Sequence, residues 1–245
     1  MAVQTRRRTA ATSVTEAEGG DTRTAEPAVL RISSRNYSSW SMRGWLLCRM
    51  AGIVFEEEIV SADDPKSRAE LLLQSSSILI PALRHEGAEL WDTLAIAEYL
   101  NELVPDARML PEDRLARARC RAISGEMHAG FAALRSTLPM NLRAVVPNFT
   151  LWSGARADIE RILWIWRDCL ERWGGPWLLG AEKSVADAMY APVVTRFRTY
   201  DVKLDAACEA YAQTILAWPD VAEWIEAGKR EPETHITELD LEAEF

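Results

Sequence analysis

Asn36-Tyr37-Ser38-Ser39-Trp40-Ser41-Met42-Arg43 follows the short apolar run Val29-Leu30-Arg31-Ile32-Ser33, and this order decides the fold. The run reads as a strand and the hydroxyl cluster as the start of a helix over Ser39–Ala51, with Trp40, Leu47 and Ala51 at helical spacing. Gly52 stops that helix, as glycine does just past a C-terminus. Val54–Val60 reads as a second strand. Ile80-Pro81-Ala82-Leu83 and Glu89-Leu90-Trp91 flank Glu86-Gly87, a hairpin signal. Asp92 then caps a helix whose Ile96, Tyr99, Leu100 and Leu103 share one face. With a further helix expected between Val60 and Ile80, the order is β-α-β-(α)-β-β-α, that of a thioredoxin-like α/β domain.

Beyond Pro105–Pro111 the patterning becomes helical throughout. Ile123, Met127, Gly130 and Leu134 fall on one face of a single long helix, and Ile162, Leu163, Trp166, Leu170 and Trp173 on that of another. Ser184-Val185-Ala186-Asp187 resembles a capping box, with Asp in place of the usual Glu or Gln, and opens a helix carrying Met189, Val193 and Phe197. Trp218-Pro219-Asp220 starts a last helix through Val221, Trp224 and Ile225, with Gly228 as its stop. The expected organisation is a disordered tail over 1–27, a thioredoxin-like domain over 28–104 and a linker over 105–112. An all-α domain over 113–230 and an acidic C-terminal tail over 231–245 complete it.

At 245 residues the chain can bury substantial cores, and its formal charge of −9 argues against a nucleic-acid or anionic-membrane surface. No apolar run reaches the roughly 20 residues that span a bilayer. Cys48, Cys120, Cys169 and Cys208 are scattered without a CxxC, so neither a disulfide framework nor a metal site is indicated, and a reducing cytoplasm is expected. Arg6-Arg7-Arg8 is not followed by the apolar core of a secretory signal, and Glu16, Glu18 and Asp21 do not suit a transit peptide. Gly175 and Gly180 are spaced as in half a phosphate-binding loop, but Ala181 stands where lysine is needed.

From about residue 28 to 228 the chain resembles the soluble glutathione S-transferases. Their serine-type members carry a Ser, an Arg and a Gly-Ile that Ser38, Arg43 and Gly52-Ile53 match without a gap. Ser38-Ser39-Trp40-Ser41-Met42-Arg43 is similar to the Ser-Ser-Cys-Ser-x-Arg of the zeta branch. Ile80-Pro81 resembles the family's cis-proline element, Asp92-Thr93 stands where the family has Glu-Ser or Gln-Ser, and Ser184–Asp187 matches its capping Ser/Thr-x-x-Asp. The resemblance implies a thioredoxin-like domain followed by an all-α domain, glutathione as co-substrate, no metal, and a homodimer.

It also implies roles. Ser38, at a helix N-terminus where backbone N–H groups favour an anion, would donate to the glutathione sulfur; a plain helix cap is the alternative. Ser39, Asn36 and Arg43 are candidates for catalytic support. Ile80 would pair through its backbone with the cysteinyl part beside cis Pro81, and Asp92 and Thr93 would hold the γ-glutamyl end. Trp40 and the long helix around Glu126, Met127, His128 and Phe131 are candidates for the acceptor site between domains, with Arg135, Trp164, Trp166 and Phe197 as looser ones. One departure stands out: Ser75-Ser76-Ser77-Ile78-Leu79 replaces the family's Asn-Pro-x-Gly-Lys/Arg, so a residue that meets the glycyl carboxylate becomes Leu79. The expected activity is addition of a glutathione thiolate to, or its substitution on, an electrophilic, apolar or aromatic small molecule, in detoxification or biosynthetic C–S bond formation. Cis–trans isomerisation or ether cleavage by the same sulfur is an alternative, and a non-catalytic binding or regulatory protein belongs to another class.

Overall fold

Leu30 and Ile32 are fully buried at the centre of a four-stranded sheet in the order β2-β1-β3-β4. β1 (Ala28–Ile32) pairs in parallel with β2 (Phe55–Ile59) and antiparallel with β3 (Ala82–His85), and β3 pairs antiparallel with β4 (Ala88–Leu90). The computed structural model describes residues 27–60, 77 and 79–232. The expected helix between Val60 and Ile80, the body of the N-terminal tail, Ile78 and nearly all of the C-terminal tail lie outside the described residues.

The parallel pair needs a crossover, and α1 (Ser39–Ala51) supplies it. Ser38 caps its N-terminus, and Gly52, at φ 71°, ends it in the left-handed conformation that only glycine adopts cheaply. Met42, Leu46, Leu47 and Cys48 are buried together because α1 packs on β1, on α2 (Thr93–Leu103) and on two helices of the second half. At Gly44 an added Cβ would lie 2.6 Å from Pro81 Cγ, so α1 rides directly on the Ile80–Pro81 segment, whose peptide bond is cis. The β3–β4 turn carries Glu86 and Gly87 with positive φ, the two-residue turn read from the sequence.

A 3-10 turn at Pro105–Ala107 leads into the helical half. It comprises α3 (Arg114–Ala129), α4 (Ala132–Thr137), α5 (Ser153–Trp173), α6 (Val185–Thr199), α7 (Ala206–Ala217) and α8 (Pro219–Arg230). α6 is central and buried on nearly every side. Asp187 anchors its start, accepting from Ser184 N–H (2.8 Å), Leu178 N–H (3.1 Å) and Tyr211 Oη (3.1 Å). The capping box is formed with Asp, as its spacing suggested.

Two expectations are corrected. The helix through Ile123 and Met127 does not continue to Leu134: it ends at Ala129, Phe131 turns left-handed at φ 62°, and α4 starts anew. Arg135 closes that end, its guanidinium donating to the Met127 carbonyl (3.1 Å) and to those of His128 and Gly130. Gly228 does not stop the last helix, which runs to Arg230. Its missing side chain serves packing, since a Cβ there would meet Leu142 Cδ1 at 2.7 Å and Arg35 O at 3.2 Å.

Candidate active site at the start of α1

β1 ends at Ile32 and the chain turns through Arg35–Tyr37 before entering α1. Ser38 N–H donates to Ser34 O at 2.9 Å, which closes that turn and sets the serine in extended conformation ahead of the helix. Its Oγ accepts from Ser41 N–H (3.2 Å) and donates to Ser41 Oγ (2.9 Å). Ser41 Oγ in turn accepts from Ser33 N–H (2.9 Å), tying the end of β1 to the cap. Ser38 is therefore the N-cap, with its hydroxyl at the positive end of α1.

The three neighbours expected as catalytic support are each bonded to the second half or to one another. Ser39 is fully buried and its Oγ accepts from Arg43 Nη1 (3.1 Å) and from Arg196 Nη2 (2.9 Å) of α6. Arg43 is also buried, and its Nε donates to the Met189 carbonyl at 2.8 Å, which locks α1 to α6. Asn36 is fully buried: its Oδ1 accepts from Leu142 N–H (2.8 Å) and its Nδ2 donates to Asn141 Oδ1 (3.3 Å). These side chains join the two halves and support the site from behind. Arg196 and Ser41 carry roles that a single-sequence reading did not single out, because their partners lie far away in the chain or depend on the cap geometry.

Trp40 lies in the first turn of α1 with the Arg43 guanidinium 4.4 Å and the Arg135 guanidinium 5.4 Å from its ring centroid. His128 meets the same ring edge-on at 5.1 Å. On its other side, His128 Nε2 lies 3.3 Å from Asp92 Oδ2, so the starts of α1 and α2 converge on the end of α3. Asp92 Oδ1 caps α2, accepting from Leu94 N–H (2.8 Å) and Ala95 N–H (3.4 Å). Beside it, the Thr93 hydroxyl is buried and has no hydrogen-bond partner among the described residues, as is also true of His128 Nδ1. A buried hydroxyl without a partner at a helix N-terminus is suited to an anionic ligand group.

The remaining candidates separate. Met127 and Phe131, expected at the acceptor site, are packed into the core and offer almost no surface. Trp166 and Phe197 are core residues whose rings pack at a tilt with centroids 5.5 Å apart. Glu126 pairs with Arg161, and Trp164 is solvent-exposed beside that arginine. Leu79, in the segment that departs from the family pattern, is exposed. All four cysteines are free and buried, and burial pushes their thiols up, to about 11 at Cys120 and about 12 at Cys208, so none is a ready nucleophile. A cavity of 510 Å³ lies elsewhere, at the linker, where Arg117 and Arg121 are held by the Pro111 carbonyl and by Glu98.

Residues 37–103 match the family model for the glutathione S-transferase N-terminal domain, and residues 112–227 match that for the C-terminal domain. The chain belongs to the glutathione S-transferase family. Among curated relatives, it is 29% identical over 192 residues to the maleylacetoacetate isomerase of Rattus norvegicus, covering 72% of this chain and 81% of that one. It is 25% identical over 224 residues to the glutathione S-transferase-like protein OpS6 of Beauveria bassiana, covering 84% of this chain and 92% of the relative. Among solved structures, a glutathione transferase homolog from Burkholderia with bound glutathione superposes with a TM-score of 0.64 at 21% identity, over 84% of this chain and 100% of that one. This family member thus has a thioredoxin-like domain followed by a helical one, with Ser38, Asp92 and Thr93 at the N-termini of α1 and α2. Among the described residues no helix is long and apolar enough to cross a membrane.

Proposed function

We propose that the protein binds glutathione at the starts of α1 and α2, activates it as a thiolate, and adds it to an electrophilic carbon of an apolar or aromatic small molecule. The observation that carries this reading is the Thr93 hydroxyl, buried without a partner beside the Asp92 cap at the N-terminus of α2. It suits the γ-glutamyl carboxylate, with Asp92 facing the ammonium and the Ile80 backbone pairing with the cysteinyl part. Ser38 donates its hydroxyl hydrogen, which rotates away from Ser41 Oγ toward the sulfur. A free thiol, with a pKa of about 8.5, is only a few per cent ionised at pH 7. The buried Arg43 and Arg196 guanidiniums converging on Ser39 add positive potential beside Ser38, in the direction that favours the anion. Trp40 and His128 form the acceptor side. Leu79 provides no basic or amide group for the glycyl carboxylate, so weaker glutathione binding is expected than from a site that has one.

A second reading is favoured by the likeness to the maleylacetoacetate isomerase of Rattus norvegicus. The same thiolate would add to one carbon of a cis double bond, the new single bond would rotate, and elimination would return the trans alkene and the thiolate. Conjugation consumes one thiol per product, whereas isomerisation consumes none. A homodimer in a reducing cytoplasm fits either reading. The test is turnover with reduced glutathione and, separately, an activated aryl halide and a cis-configured unsaturated keto acid, following product and free thiol together. Product formation with one of the two supports that reading. No turnover with either, and no thiolate signal from bound glutathione, would instead leave a protein that uses the fold for binding alone.

A further inference from the structure

Glu231, the first residue of the expected acidic tail, is bound back into the fold. It stands at the C-terminal end of α8, where the helix dipole disfavours a carboxylate. Yet it accepts three hydrogen bonds from one turn: Ser34 Oγ–H at 2.6 Å, Arg35 N–H at 2.9 Å and Asn36 N–H at 3.0 Å. Ser34 passes the constraint on, because its Oγ accepts from Tyr37 N–H (3.2 Å) and its carbonyl accepts Ser38 N–H (2.9 Å). The rest of α8 is fitted to the same turn. Trp224 Nε1 donates to Arg35 O at 3.0 Å, the Arg35 guanidinium lies over the Trp224 ring, and Gly228 leaves room for the Arg35 carbonyl. Arg143 fixes the helix end by donating to the Lys229 and Gly228 carbonyls.

We propose that Glu231 is a positioning residue for Ser38: its carboxylate holds the 34–36 turn in the shape from which the Ser38 hydroxyl is presented. Charge-assisted bonds to two consecutive amides and a hydroxyl are the strong kind, and nothing else among the described residues reaches those donors. The last turn of the C-terminal helix is thereby made part of the thiol-activating apparatus, without touching substrate. The functional half of this claim rests on the reading of Ser38 given above; the structural half does not.

The experiment compares wild type with Glu231→Ala, Glu231→Gln and, as a control on the same helix, Glu223→Gln, which loses an exposed pair with Arg49 and a longer-range attraction to Arg35 but leaves the three Glu231 bonds in place. Amide hydrogen exchange is read at Arg35, Asn36, Tyr37 and Ser38, and the titration of bound glutathione is read by thiolate absorbance. Glu231→Ala is expected to speed exchange at those amides by about tenfold or more while the amides of α5 stay protected. It is also expected to raise the apparent pKa of the bound thiol by about one unit, a tenfold loss of thiolate. Glu231→Gln, which keeps one acceptor oxygen, should fall between, and Glu223→Gln should change neither. A general loss of stability would lower protection everywhere and leave the thiol titration in place. Unchanged exchange at residues 35–38 would overturn the clamp, and faster exchange with an unmoved thiol pKa would overturn its link to Ser38. If wild type itself gives no thiolate signal, the glutathione reading falls and the link to thiol activation falls with it, while the exchange data still decide the clamp.

Discussion

His128 Nε2 lies 3.3 Å from Asp92 Oδ2, while the other oxygen of the same carboxylate caps α2. One side chain therefore both starts the helix and ties it to the second half. The two jobs can be separated by mutation. Asp92→Ala removes the cap and is expected to cost about 1 kcal/mol, a fall in Tm of about 2–4 °C for a chain of this size. His128→Ala removes the half-exposed contact with Asp92 and the edge-on packing on Trp40 but keeps the cap, and is expected to lower Tm by less. Scanning calorimetry on the two variants checks this; equal falls would mean that the interdomain contact, not the cap, is what Asp92 provides.

Arg43 is buried with its guanidinium divided between the Met189 carbonyl and Ser39 Oγ. Replacing it by methionine keeps much of the volume but leaves both oxygens with fewer donors. We expect Arg43→Met to destabilise the protein by about 3 kcal/mol, within the range for breaking a buried charged network. Urea unfolding followed by tryptophan fluorescence would show this as a lower midpoint. A shift of under about 0.5 kcal/mol, the ordinary range for surface changes, would contradict the assignment of Arg43 as the lock between α1 and α6.

The same substitution should have opposite signs at two glycines. At Gly125, inside α3, an added Cβ meets nothing within 4 Å, so Gly125→Ala is expected to stabilise by about 0.5–1 kcal/mol through helix propensity. At Gly228, also helical, a Cβ would lie 2.7 Å from Leu142 Cδ1 and 3.2 Å from Arg35 O, and Gly228→Ala is expected to cost about 1–3 kcal/mol. Denaturant midpoints decide it, and equal shifts at the two sites would count against the packing of α8 on the Arg35 turn.

Burial raises all four thiols, with Cys120 at about 11 and Cys208 at about 12. The folded protein thus keeps these protons at pH values where an unfolded thiol, with a pKa of about 8.5, has lost them. Stability is therefore unaffected by these groups below that value and falls as pH rises from it toward the folded values. Thermal unfolding in reductant should show Tm falling between about pH 9 and 11, and Cys120→Ala should make that fall shallower. A flat profile across this window would contradict the burial of the thiols.

Much of the N-terminal half was legible because its signals are local. The Ser38 cap, the Gly52 stop, the Glu86-Gly87 turn and the Asp92 cap each depend on residues a few positions apart, and spacing reveals such relations. The end of α3 at Ala129 was not legible, because Arg135 closes it from the next helix and a left-handed phenylalanine has no compositional signal. Gly228 looked like a stop and is instead a packing glycine, which only the presence of Leu142 and Arg35 against it explains. Ser39, Asn36 and Arg43 stand beside Ser38 in sequence, but their partners Arg196, Leu142 and Met189 come from the other half, so the bonds that join the halves could not be read from spacing. Glu231 was hidden for the same reason: a carboxylate in an acidic run looks solvated until the turn it binds is folded against it.

The proposed role of Ser38 as the donor that stabilises a bound thiolate is tested most directly by the pH titration of thiolate absorbance from bound glutathione in wild type and Ser38→Gly. Glycine is chosen because it retains most N-cap stability, losing only a few tenths of a kcal/mol, so the hydroxyl is removed with little cost to α1. In wild type the bound thiol is predicted to be half ionised at least about one unit below the free value of about 8.5, and in Ser38→Gly it should return toward that value with glutathione still bound. The same low titration midpoint in both proteins would contradict the assignment.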